Sequence, residues 1–178
     1  MVTALSAPRR SVGFTIIELM LVMVVVGVMA AIALPSMRDL IIRIRLKTAA
    51  GDLHQSLMYA RSEAISRNAG IQLVPNNAAD WAQGWTVRVQ TGGTVLSKQD
   101  PYPSVNFRTA NAAYVTTALA AITFSGTGRE SGSAGAGIAI VVSSTEYPQI
   151  HARCVVIDPS GRAAVRQDRD FDATNGCN

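Results

Sequence analysis

Apolar positions run almost unbroken from Phe14 to Leu34, 21 residues that hold one charge, Glu18. About 20 apolar residues at 1.5 Å rise cross a bilayer. The run therefore predicts a transmembrane helix, since core helices seldom stay apolar so long and a secretory signal carries a shorter apolar stretch. After Pro35 the apolar spacing becomes one-sided. Leu53, Leu57, Ala60 and Ala64 fall at i, i+4, i+7 and i+11, the stripe of a helix that packs on something. Asn68-Ala69-Gly70 reads as a helix stop. One helix from about residue 14 to about residue 68 is expected, its upper half in lipid and its lower half amphipathic.

From Ile71 the apolar runs shorten and are rich in Val, Ile and Thr. Gly, Pro, Asn and Asp divide them, which is the pattern of strands. The candidates are Ile71–Val74, Gly84–Gln90, Thr94–Lys98, Ser104–Thr109, Ala121–Ser125, Gly137–Ser143, His151–Ile157 and Arg162–Gln167. The helix stripe and one sheet face both need cover and are expected to cover each other. The fold class is α+β: a long N-terminal helix packed on an antiparallel β-sheet head. The expected divisions are residues 1–13, 14–35, 36–70 and 71–178, with no internal repeat.

Composition refines this picture. Charged residues are 16% of the 178 and hydrophobic residues 48%, which excludes a wholly disordered chain. The formal charge of +4 would by itself suggest nucleic acid or an anionic membrane. Its distribution says otherwise, because residues 51–178 hold ten cations and ten acids. The excess lies in Arg9 and Arg10 ahead of the apolar run and in Arg38, Arg43, Arg45 and Lys47 after it. Counted by the positive-inside tendency alone, the second flank would be cytoplasmic.

The residues before the apolar run carry a resemblance. Gly13-Phe14-Thr15-Ile16-Ile17-Glu18-Leu19 resembles the processing site of type IV pilins and type II secretion pseudopilins. The resemblance implies a leader, 1–13, cut by a prepilin peptidase between Gly13 and Phe14, with methylation of the new amino terminus. It implies that Glu18 assists assembly by pairing with a neighbour's terminal amine; a glutamate snorkelling near a helix end is the plainer alternative. A carboxylate inside lipid is costly and is a functional candidate in its own right. Pro35 fits the bend such helices often have, since proline removes a helix hydrogen bond. The resemblance places the leader in the cytoplasm, the span in the bacterial inner membrane and the head in the periplasm.

A second resemblance covers the head. Tyr59-Ala60-Arg61-Ser62-Glu63-Ala64-Ile65-Ser66-Arg67-Asn68, then Trp81 and Gly84-Trp85, Ile122-Thr123-Phe124 with Gly128-Arg129, and Cys154 through Arg162 are similar to the GspH/FimT branch of minor pilins. It implies a structural subunit at or near a filament tip, with other pilins, the prepilin peptidase and the inner membrane as partners. Type IV pilus and type II secretion pseudopilus both stay open. Some FimT-type pilins are associated with DNA uptake through a Gly-Arg-x-Arg near the C-terminus. Here Gly161-Arg162-Ala163-Ala164-Val165-Arg166 widens the arginine spacing from about 7 to about 13 Å on a strand. Both spacings keep the pair on one face. Arg153 and Arg169 would extend such a double-stranded DNA site; Asp158, Asp168, Asp170 and Asp172 would oppose it.

Chemistry finds little to work with. The two cysteines, Cys154 and Cys177, lack metal-ligand spacing. In an oxidising periplasm they would form a disulfide, with two free thiols as the alternative. His54 and His151 are expected to be ordinary packing or surface residues. Trp81 and Trp85 are expected to fill the core rather than stack bases. Gly126–Gly137 is glycine-rich, but its spacing is wrong for a phosphate loop and a strand follows it. No Gly-x-Ser-x-Gly, P-loop or HExxH is present. No enzyme activity, cofactor, metal or small-molecule substrate is expected.

Overall fold

The computed structural model describes residues 14–77, 80–111, 119–132 and 137–169. Among the described residues a single helix, α1 (Ile16–Arg67), is followed by eight strands: β1 (Ile71–Asn77), β2 (Asp80–Val89), β3 (Val95–Lys98), β4 (Val105–Asn111), β5 (Ile122–Phe124), β6 (Ile138–Ser144), β7 (Arg153–Ile157) and β8 (Ala163–Gln167). All eight predicted strands are present in order, on boundaries shifted by a few residues. The chain divides into two compact units, one ending at Arg38 and the other starting at Asp39.

In the first unit Thr15 is the N-cap of α1. Its hydroxyl accepts from the Glu18 amide at 3.3 Å, and its carbonyl accepts from the Leu19 amide at 3.2 Å. The side chains around and beyond it, Phe14 and then Ile16 through Met29 and Ile32, are largely exposed apolar groups. Among the described residues α1 is the one helix long and apolar enough to cross a membrane. It stays helical through Pro35.

In the second unit the predicted stripe is the buried one. Leu46, Ala49, Ala50, Leu53, Leu57, Ala60 and Ala64 are all at most 1% exposed. The helix stops at Asn68, whose φ of 47° is the left-handed conformation asparagine tolerates. The Ala69 amide bonds back to Ala64 O at 3.1 Å and the Asn68 amide to Ile65 O at 3.3 Å, which is a Schellman ending.

Among its described residues the head holds two four-stranded sheets where one was expected, ordered β3-β2-β1-β5 and β4-β6-β7-β8. Every pairing is antiparallel. One apolar cluster takes residues from the helix and from both sheets: Leu53 and Leu57 with Leu73, Trp85, Ile122, Ile140 and Val155. Strand β6 reads Ile138-Ala139-Ile140-Val141-Val142, buried on both faces. Its second face joins a smaller cluster of Val141, Ala152 and Cys154, with Val156 packed on it.

Candidate functional site

Three groups of residues were candidates, and the structure separates them. The first is the start of α1. Phe14 is 80% exposed; Gly13 lies outside the described residues. Glu18 occupies the third helical position after the Thr15 cap. A carboxylate there faces unpaired amides and the positive end of the helix dipole. The same residue that the pilin resemblance assigns to assembly thus also suits the helix start.

The second group is the arginines of the β7–β8 hairpin. The turn from Asp158 to Arg162 is tightly built. Gly161 N bonds to Asp158 O at 2.9 Å and Asp158 N to Arg162 O at 3.0 Å. The Asp158 carboxylate accepts from Ser160 Oγ at 2.5 Å and from the Arg162 amide at 3.1 Å. These two donors hold its pKa below the usual carboxylate value. Gly161 has a φ of 80°, and a Cβ there would stand 2.1 Å from the carbonyl oxygen of Gly128. The hairpin is therefore pressed against the β5–β6 turn.

Arg162 and Arg166 share one open groove of about 420 Å³ with Met58 and Arg61 of α1. Alternation along the strand places them together, as expected. Arg61, whose Nε donates to Gly128 O at 3.0 Å, is a third cation that sequence reading missed. Nothing in the local spacing signals it, because helix and hairpin meet only in the fold. His54 Nε2 donates to Ala163 O at 3.2 Å, which fastens the helix to β8, a packing role as expected.

Asp158 lines the same groove, and the remaining residues of the predicted patch are placed as follows. Arg153 pairs with Gln167, and Arg166 with Cys154. Side chains alternate across a strand, so Arg153 stands on the other face of the sheet from Arg166. Asp168 is fully buried and does not oppose the arginines at the surface. Arg169 is exposed just past β8. Asp170, Asp172 and Cys177 lie outside the described residues. Cys154 is fully buried in the smaller cluster.

The third group, the tryptophans, is core. Trp81 and Trp85 are at most 1% exposed. Trp81 Nε1 donates to Leu119 O at 3.1 Å and Trp85 Nε1 to Ser56 Oγ at 2.9 Å, so both indoles are polar-satisfied inside. Trp85 stacks on Tyr102 at 5.6 Å and meets Phe107 edge-on at 5.7 Å, which bridges the two sheets. The glycine-rich loop closes as a turn, with Gly128 N on Ser125 O at 2.8 Å; residues 133–136 lie outside the described set. Among the described residues no group of His, Cys, Asp and Glu is placed to hold a metal ion.

With that geometry in view, known proteins offer comparisons. A family model described as type II transport protein GspH matches residues 49–161, more than half of the chain. A model described as the prokaryotic N-terminal methylation motif matches residues 9–34. No curated protein matches the sequence significantly. The fold is similar to the type IV minor pilin FimU of Pseudomonas aeruginosa strain PAO1: TM-score 0.58 and 23% identity over 76% of this chain and 97% of that one. A second crystal form of FimU gives 0.57 and 22% over 74% and 99%. The minor pseudopilin EpsH from the type 2 secretion system of Vibrio cholerae gives 0.53 and 9% over 69% and 97%. These likenesses establish the long helix packed on antiparallel sheets.

Proposed function

We propose, on the premise that this chain belongs to the GspH family of type II transport proteins, that it is a minor pilin or pseudopilin. It would be a structural subunit of a type IV pilus or a type II secretion pseudopilus. The observation that carries the reading is the order of two matches on one chain, the methylation motif at 9–34 and GspH at 49–161. The exposed apolar side chains of the first unit support anchoring in lipid, because soluble proteins rarely leave apolar patches of that size in water. In this reading a prepilin peptidase cuts between Gly13 and Phe14 and methylates Phe14. The chain then waits in the inner membrane with its head in the periplasm, and joins other pilins at or near a filament tip. Glu18 pairs with a neighbour's amine, which relieves the roughly 3 kcal/mol of placing a charge in lipid.

Mass spectrometry of the chain recovered from its own membranes tests this. The expected N-terminal peptide begins at N-methylphenylalanine 14; a chain that retains Met1–Gly13 would reject processing. Glu18→Val should be cut normally yet be depleted from filaments, and normal incorporation would remove the assembly role. Scoring secretion, twitching and transformation after gene deletion assigns the system.

The groove of Arg61, Arg162 and Arg166 favours a second reading, a DNA-binding minor pilin of an uptake pilus. Binding there would be local, since residues 51–178 carry no net charge. Three phosphate contacts give a log–log salt slope of about −2.7. In a mobility shift with duplex DNA, Arg162→Gln with Arg166→Gln should cut that slope by about two. An unchanged shift would exclude this groove.

A further inference from the structure

Four cations remain without a task. Arg38, Arg43, Arg45 and Lys47 follow the apolar run within 13 residues of Leu34, and Asp39 is the one acid between Pro35 and Gly51. Membrane proteins ordinarily gather such residues on the cytoplasmic flank. On the exported flank they require an explanation of their own.

The helix of the second unit offers one. Leu46, Ala49, Ala50 and Leu53 turn into the core. With 3.6 residues per turn, Leu40, Ile41 and Ile44 lie on the opposite side of the helix, and they are 50%, 43% and 54% exposed. Arg43 and Lys47, one turn apart, border this apolar patch on one flank, and Arg45 borders it on the other; all three are exposed. An apolar centre with basic rims is the layout of a helix surface at a lipid–water boundary. Long cationic side chains there rest their methylenes on apolar surface and extend the charge to phosphates.

We infer that Leu40–Lys47 is a headgroup-binding segment for anionic phospholipids. Arg43, Arg45 and Lys47 take the phosphates, and Leu40, Ile41 and Ile44 settle at the glycerol and upper acyl level. The inference rests on the membrane-anchored reading above. Charge selects lipid over a second copy of the same segment, because two such patches facing each other would set cation against cation. A phospholipid surface presents alkyl and phosphate together, and the segment starts six residues after the apolar run ends.

The test is the full chain reconstituted in phosphatidylcholine vesicles with and without phosphatidylglycerol. Spin-labelled forms of the two lipids report which one the protein immobilises. Wild type should favour phosphatidylglycerol by roughly fivefold or more at low salt and lose most of that preference in high salt. Arg43→Gln, Arg45→Gln and Lys47→Gln together should bring it below about twofold. Ile41→Ser with Ile44→Ser removes no charge and should also weaken it. Equal immobilisation of both lipids by wild type, or an undiminished preference in the triple variant, overturns the site. A preference that disappears when the protein is diluted in the bilayer traces to contact between copies and overturns it as well. Flotation separates the two levels. A chain that floats with neutral vesicles but shows no lipid preference refutes this segment alone, whereas a chain that fails to float refutes the membrane anchor and the inference with it.

Discussion

Tyr102 shows how much one side chain can join. Its hydroxyl donates to Asp52 Oδ2 of α1 at 2.6 Å, while its ring stacks on Trp85 and tilts against Phe107. Burial first, then the hydrogen bond and charge of Asp52, push its pKa well above the ordinary tyrosine value. The folded chain therefore keeps this proton more tightly than the unfolded one. The associated stability is complete below about pH 10, the unfolded value, and is lost as pH rises from there toward the folded value. Tyr102→Phe should cost about 1 kcal/mol near neutral pH, the hydrogen bond discounted for partial exposure. It should also flatten the alkaline limb of a stability profile measured by urea unfolding. Gly161 makes a harsher residue-scale case. Gly161→Ala puts a Cβ in a left-handed position and onto Gly128 O, so a loss of about 2 kcal/mol or more is expected in the same assay. Neither residue's role was legible in the sequence. Tyr102 sits in an undistinguished loop and its partner is 50 residues away, and Gly161 is constrained by a turn more than thirty residues earlier.

The elements were far more legible, because period is local. The stripe Leu53, Leu57, Ala60 and Ala64 is wholly buried, and the stop at Asn68 is a real helix ending. Val, Ile and Thr runs punctuated by Gly, Pro and Asp located all eight strands. The same helix now makes a contrast that can be measured. Leu53→Ala leaves a cavity in the core and should cost about 2–5 kcal/mol. Ile44→Ala removes an exposed side chain and should change stability in detergent by no more than about 0.5 kcal/mol. Denaturant midpoints of the two variants, read by tryptophan fluorescence, decide it. Comparable losses at both positions would mean that the Ile44 side of the helix is covered in the folded chain.

At the scale of the molecule, sequence pattern runs out where long-range pairing begins. Alternation says which face of a strand is apolar but not which strand it pairs with, so eight strands read as one sheet are in fact two. The arginines show the same limit. The shared groove of Arg162, just before β8, and Arg166, on it, followed from spacing, but Arg61 joined and Arg153 left only through the fold. Charge was legible because it is additive: the ten cations and ten acids of residues 51–178 leave any nucleic-acid binding to a local groove. The cysteines carry the last whole-molecule question. Cys154 is fully buried on the face of the second sheet turned away from the main core, and Cys177 follows it after 22 residues. A bond between them would fasten the tail beyond β8 to that face. Closing a loop of this length in the unfolded chain stabilises by about 3 kcal/mol in the entropic account. The chain exported to an oxidising compartment should therefore yield a linked Cys154–Cys177 peptide under non-reducing digestion. Reduction, or Cys177→Ser, should lower its unfolding free energy by about 3 kcal/mol. Two thiols that label freely in the unreduced, denatured protein would reject the bond.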